Sequence, residues 1–159
     1  GNGIGIELPT IDELLEIGKG RTIQEGKNVA IINFGGRLNE CIIASEKLKS
    51  KGIKPTIIDA RFAKTLDEKL IGEVSSSHEV VITIEEGSIG GFGSHVSQYL
   101  FNKGILDRGL KFRSMILPDI FIDQDTPENM YRLAGLDADS IVKKVLETLE
   151  AKVIFAKKS

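Results

Sequence analysis

Three short runs dominated by β-branched and apolar residues constrain this chain more than any other feature: Val29-Ala30-Ile31-Ile32-Asn33-Phe34, Thr56-Ile57-Ile58-Asp59 and Val80-Val81-Ile82-Thr83-Ile84. None alternates polar with apolar, as a strand with one wet face would, so each is expected to be a strand buried on both faces. The stretches between them have helical period. Leu38 to Lys51 places Leu38, Ile42, Ser45 and Leu48 on one face, with Gly52 just beyond its end. Leu66 to Ser76 reads as a second helix, with Asp67 or Thr65 as its cap. Parallel strands need crossover connections, so this alternation predicts a mostly parallel sheet with helices on both faces. The expected fold class is α/β, a three-layer α/β/α sandwich.

The flanking segments extend the pattern. Gly20 to Gln24 is a candidate edge strand ended by Glu25-Gly26. A glycine-rich loop, Gly87 to Gly93, leads into a helix from about Ser94 to Lys103, and Phe112 to Leu117 is expected as a fourth core strand. Pro127 suits the first turn of a helix after Thr126, where its missing N–H costs nothing. Asp137 or Asp139 is expected to cap a last helix whose apolar face is Ile141, Val142, Val145, Leu146 and Leu149. Residues 1–18, where Gly1, Gly3 and Gly5 alternate with Asn2, Ile4 and Ile6, read as a linker arriving from an upstream domain. Gly1 in place of an initiator Met supports that expectation. Residues 19–150 then form the domain and 151–159 a tail.

At 159 residues the chain is sized for one domain with a sizeable core. A net charge of -2 argues against a nucleic-acid binder, which would carry a basic stripe. No apolar run approaches the ~18 residues that a membrane span needs. Cys41, the single cysteine, forms neither an intrachain disulfide nor a zinc site by itself, which fits a reducing, cytoplasmic setting.

Few features suggest chemistry. The loop Glu85-Glu86-Gly87-Ser88-Ile89-Gly90-Gly91-Phe92-Gly93-Ser94 runs from strand to helix, where phosphate loops sit. It matches neither common phosphate-binding pattern, and no Lys or Arg occurs between Ile84 and Lys103 to meet a phosphate. Gly90, Gly91 and Gly93 are better explained by close packing of helix on strand. Glu85 and Glu86 point to opposite faces if the strand continues through them, one buried and one solvated, so they cannot share a substrate atom. His95 has the position of a general base but no triad spacing, and reads as a surface or interface residue; His78 is expected to be exposed. Arg61, at the carboxyl end of the second strand, reads more as an ion pair across a domain boundary than as a substrate contact.

The order of three motifs adds a family. Asp59-Ala60-Arg61-Phe62-Ala63-Lys64-Thr65-Leu66-Asp67 resembles the strand-to-helix turn of transketolase C-terminal domains, and Thr83 to Ser94 resembles their glycine loop. Leu117-Pro118-Asp119-Ile120-Phe121-Ile122-Asp123-Gln124, with Gly135-Leu136-Asp137 downstream, is similar to the closing segment of the 1-deoxy-D-xylulose-5-phosphate synthases within that group. Gly1 to Leu8 is similar to the stretch after a Tyr-Pro-Arg in the same synthases. The first two motifs alone are shared with pyruvate dehydrogenase beta subunits.

The resemblance implies a thiamine-diphosphate enzyme that condenses pyruvate with glyceraldehyde 3-phosphate, for isoprenoid and cofactor synthesis. It implies a five-stranded mixed sheet whose first strand is antiparallel, and a homodimeric parent. The diphosphate, Mg²⁺ and the activating Glu belong to upstream domains, so no catalytic, cofactor or metal residue maps onto this chain. Arg61, Glu85, Glu86, Gly90, Gly91, Gly93 and His95 are left as structural or interface candidates. Two readings compete with an assembly role. One is a ligand-binding module using a crevice where Gly35, Gly36, Arg37 and the loop after Ile84 could meet. The other is a partner-docking domain, as in the pyruvate dehydrogenase beta subunits.

Overall fold

A computed structural model describes residues 19–61, 66–87, 90–119 and 126–151. The expected linker at 1–18, the alternative cap Thr65 and the tail after Ala151 lie outside the described residues. The strands are β1 (Arg21–Gln24), β2 (Val29–Phe34), β3 (Thr56–Asp59), β4 (Val80–Glu86) and β5 (Lys111–Leu117). The helices are α1 (Leu38–Lys49), α2 (Glu68–Ser77), α3 (Phe92–Asn102) and α4 (Pro127–Glu150), with a 3₁₀ turn at Ile105–Arg108. The sheet runs in the order β1-β3-β2-β4-β5. β1 pairs antiparallel with β3, and the other neighbours are parallel. The mostly parallel sheet between helix layers that the periodicity predicts is observed, and its first strand is antiparallel, as the resemblance implies.

The uninterrupted apolar runs are explained by two cores, one on each face. Val29 and Ile31 of β2 and Val80, Ile82 and Ile84 of β4 pack with Cys41, Ala44 and Leu48 of α1 and Ile141, Val142 and Val145 of α4. Ala30 and Ile32 of β2 and Val81 of β4 face the other way, onto Ile71 and Val74 of α2 and Phe92, Val96 and Leu100 of α3. Burying each such Ile or Leu side chain contributes about 1.5–3 kcal/mol, and the central strands do so on both sides.

Local signals set most element ends. Asp67 caps α2, its carboxylate accepting from Leu70 N at 3.1 Å. Thr126 caps α4, its hydroxyl accepting from Asn129 N at 3.3 Å with Pro127 in the first turn. Gly52, at φ +81, turns the chain out of α1 in the left-handed region that glycine adopts freely.

Several expectations need correction. β5 is an edge strand, not a core strand: Arg113, Ser114 and Ile116 are exposed, because nothing pairs beyond it among the described residues. The inward face of α1 is Cys41, Ala44, Ser45 and Leu48, while Ile42 is exposed. The helix is rotated because Glu40 is drawn inside by Arg37, which leaves small residues against the sheet. α3 starts at Phe92, two residues early, so Gly93 is helical rather than part of the loop. α4 is one helix of 24 residues. Asp137 and Asp139 lie within it and pair with Arg37 and Lys47, so neither is a cap. His78 is half-buried: its Nδ1 lies 2.8 Å from Val74 O and its Nε2 lies 2.7 Å from Thr56 Oγ1. The carbonyl can only accept, so Nδ1 carries a proton.

Candidate functional site

Parallel strands place their carboxyl ends together, and here the ends of β2, β4 and β5 meet the N-termini of three helices. At the end of β2, Gly35 takes φ +97 and Gly36 follows. Gly36 N donates to Glu86 Oε1 at 2.8 Å, and a Cβ at Gly36 would collide with that carboxylate. Of the crevice anticipated from Gly35, Gly36, Arg37 and the loop after Ile84, Gly36 and Arg37 do meet Glu86 at the end of β4. The crevice opens into a cleft of about 700 Å³ with Asn39, Glu40, Asp119, Pro127, Met130, Tyr131 and Ala134 also on its walls.

Arg37 is the centre of that cleft electrostatically. It is buried, its Nη1 lies 3.3 Å from Glu40 Oε1, and its Nη2 pairs with Asp137 of α4. Two carboxylates thus share one guanidinium, and Glu86 and Asp119 add negative charge at the rim. Cys41, one residue on, is fully buried and its Sγ is 3.9 Å from Asn33 Oδ1. Burial, reinforced by Glu40, opposed by Arg37 and reinforced by Asp59, pushes its thiol up to about 12. Such a thiol is protonated near neutral pH and is no nucleophile.

The glycine loop has a different logic. Strand β4 does continue through both glutamates, so they diverge as expected: Glu85 is buried and Glu86 half-buried. The Glu85 carboxylate reaches under the start of α3, accepting from Gly93 N at 2.7 Å and from Phe92 N at 3.3 Å. The helix N-terminus, where an external anion would otherwise be attracted, is thereby occupied by the chain's own carboxylate. Gly91 supplies φ +98 at the N-cap. Gly93 supplies close approach, since a Cβ there would collide with Ser114 Oγ and stand 2.9 Å from Thr83 Oγ1. Gly90 is exposed and a Cβ there would meet nothing within 4 Å, so of the three glycines only Gly91 and Gly93 are required by the backbone.

The remaining candidates are not brought together. Arg61 is exposed just after β3. His95 is exposed on α3, in a groove with Leu66, Glu68, Gln98, Tyr99, Asn102 and Lys103, away from the cleft. What sequence reasoning missed is the Glu40–Arg37–Asp137 cluster. Asp137 of α4 lies 97 residues from Glu40 and 100 from Arg37, and it carried the signal of a cap.

Thiamine diphosphate, which the resemblance assigns to the parent enzyme, does not fit these residues. A diphosphate needs cationic or N–H donors, and here Glu85 fills the α3 terminus while carboxylates outnumber the one guanidinium in the cleft. Among the described residues no group of three His, Cys, Asp or Glu side chains is placed to hold a metal ion. No helix among them is long and apolar enough to cross a membrane.

Comparison with known proteins agrees with this architecture. The family described as "Transketolase, C-terminal domain" matches residues 18–141. A split-gene transketolase, solved as an inactive β4 tetramer, is 27% identical with a TM-score of 0.62. That match covers 83% of this chain and 42% of the other. Two mutant transketolases from Pichia stipitis, one in complex with fructose 6-phosphate, are each 14% identical, with TM-scores of 0.53 and 0.54. This chain spans 18% of each, and at that identity the likeness shows the fold alone.

Proposed function

The chain belongs to the transketolase C-terminal domain family, and from that premise we propose that it is the C-terminal domain of a cytoplasmic 1-deoxy-D-xylulose-5-phosphate synthase. In this reading it serves assembly and dimerisation, while upstream domains hold thiamine diphosphate and Mg²⁺ and carry out the condensation of pyruvate with glyceraldehyde 3-phosphate. Family membership supports a transferase-type parent. The narrower assignment is supported by Leu117–Gln124 with Gly135-Leu136-Asp137, and by Gly1–Leu8, all similar to that synthase.

The observation that carries the non-catalytic role is Glu85. In a domain built to hold a phosphorylated cofactor, a helix N-terminus beside a glycine loop would face the ligand with open N–H groups. Here the two N–H groups at Phe92 and Gly93 are spent on a buried carboxylate from the same chain. What the loop does is lock α3 onto β4, which is a structural task. The split-gene transketolase solved as a β4 tetramer is an assembled relative, which is in keeping with this reading.

The test has two arms. The 159-residue chain alone should neither bind thiamine diphosphate with Mg²⁺ in calorimetry nor decarboxylate pyruvate. Micromolar binding, about 8 kcal/mol, would overturn the division of labour. The full-length parent should make 1-deoxyxylulose 5-phosphate from pyruvate and glyceraldehyde 3-phosphate. Transfer of a two-carbon unit from a ketose phosphate instead would replace the synthase assignment with an ordinary transketolase.

A further inference from the structure

The two outer edges of the sheet are finished differently. β1 is four residues long, its register with β3 shifts between Thr22 and Gln24, and Arg21 and Thr22 are exposed. A short, irregular, charged strand discourages pairing by another chain. β5 is seven residues long, holds unbroken register with β4 from Lys111 to Leu117, and contains neither Gly nor Pro. Its Lys111 is turned away from the edge, with Nζ 3.8 Å from Glu79 Oε1 and 3.4 Å from Leu149 O.

The hydrogen bonds of β5 show which groups face outward. Lys111 N donates to Glu79 O, and Leu117 O accepts from Gly87 N, so both ends of the strand face β4 with the odd-numbered residues. Backbone groups alternate sides along a strand, so Phe112, Ser114 and Ile116 turn their N–H and C=O groups away from β4. No strand meets them among the described residues. Phe112 O accepts from Arg113 Nη1 at 2.8 Å, a bond to an exposed side chain that can swing away. Their side chains share the α3 face, since Ser114 Oγ lies against Gly93, and Ile116 there is 63% exposed.

We propose that a second copy of this chain pairs antiparallel with the β5 edge, about a two-fold axis at Ser114, joining the two five-stranded sheets into one. This rests on the assembly role proposed above and names the surface that performs it. In this register Ser114 faces Ser114, and Phe112 of each copy faces Ile116 of the other. Every outward N–H and C=O from Phe112 to Ile116 then finds a partner. The flanking pair is aromatic against β-branched, a favourable cross-strand combination. Charge selects the same direction. Antiparallel pairing sets Lys111 and Arg113 opposite Leu117 and Met115, whereas a parallel pair would set Lys on Lys and Arg on Arg.

The helices leave room for this contact. A Cβ at Gly93 would stand 2.9 Å from both Ser114 Cβ and Thr83 Oγ1, so α3 begins midway over β5 and β4. The two α3 helices would start about two strand spacings apart, ~10 Å, the distance at which helices pack. Tyr99 donates to Glu68 O of α2, which puts Ser94, Ser97 and Phe101 on the opposite flank, toward the β5 edge. Ser97 and Phe112 lie equally far from the axis, about 6–7 Å along helix and strand. Ile116 of one copy is thereby set between Phe112 and the Ser97–Phe101 flank of the other, and Phe101 is 72% exposed in the single chain.

Sedimentation velocity of the 159-residue chain over a concentration series, with hydrogen exchange read by NMR, tests this. The contact is small beside the roughly 1,200–2,000 Å² of stable complexes, so a reversible dimer of micromolar or weaker affinity is expected. The amides of Phe112, Ser114 and Ile116 should gain protection with concentration, while those of Arg113 and Met115, facing β4, stay protected throughout. Ile116→Lys changes an exposed position and should weaken the dimer about tenfold or more by setting a charge against Phe112. Leu136→Lys, at a position of α4 that is 57% exposed, should leave it unchanged. A dimer indifferent to Ile116→Lys overturns this surface and leaves the assembly role standing. So does a dimer whose three outward amides exchange freely, or are already protected in the monomer. A strict monomer at millimolar concentration overturns the inference as well, and the cofactor and product assays above then judge the synthase reading by themselves.

Discussion

Replacing Glu85 gives the sharpest check on the account of the glycine loop. The side chain is 1% exposed and accepts two backbone N–H groups at the first turn of α3, at 2.7 and 3.3 Å. In Glu85→Gln one amide oxygen remains, enough for the shorter bond, but the charge is lost and an NH₂ is turned toward N–H donors. Hydrogen bonds to a charged group are worth about 1.5–3 kcal/mol against about 0.5–1.5 for neutral ones, a loss of about 1–1.5 per bond. The helix dipole adds up to about 1 kcal/mol. The expected loss is about 2–4 kcal/mol. Glu85→Ala should cost more, about 3–5 kcal/mol, because it also strands two buried donors and leaves a cavity. Urea denaturation with an unchanged slope reads both values as stability changes. Opening the helix terminus should also create the anion site that Glu85 now fills. Phosphate should therefore raise the midpoint of Glu85→Ala by more than that of the native chain. If Glu85→Gln lies within about 0.5 kcal/mol of the native chain, the capping argument is wrong.

Other changes probe separate elements. Gly91→Val puts a β-branched residue at φ +98 and should lower thermal stability by about 1–3 kcal/mol, read by calorimetry, with no change in phosphate binding. Gly93→Ala should cost about 1–3 kcal/mol through its collision with Ser114 and Thr83, and Ser114→Gly in the same chain should recover part of it; an Ala substitution that stabilises would refute the close-packing role. The thiol of Cys41 stays protonated in the folded chain up to about pH 12, whereas an unfolded cysteine loses its proton near 8.5. Stability should therefore be flat below ~8.5 and fall as pH rises through that window, by about 1.4 kcal/mol per unit; the slope should be shallower by that amount in Cys41→Ala. Phe101 is 72% exposed while Leu100 is buried and the Tyr99 hydroxyl donates to Glu68 O, so Phe101→Ser should weaken any self-association seen by sedimentation without lowering stability.

The three apolar runs determined the fold class on their own, because a strand buried on both faces has no use for polar residues and needs helices above and below it. Pro127 and Asp67 marked helix starts for equally local reasons, the missing N–H of proline and the short carboxylate of aspartate. The divergence of Glu85 and Glu86 was also legible, since it follows from the pleat alone. Their tasks were not. Which one is buried, and that its partner is the first turn of α3 rather than a neighbouring element at large, depends on how closely the helix approaches β4 at Gly93. Position in the sheet was likewise hidden: Phe112 to Leu117 has a core-like composition, yet strand order leaves β5 on the edge. That Asp137 lies inside α4 and meets Arg37, 100 residues away in the chain, was equally hidden. Periodicity records what a residue does along its own element. A charge buried between two helices is fixed by the cost of leaving it unpaired, and the partner that removes that cost is chosen only when the two helices meet.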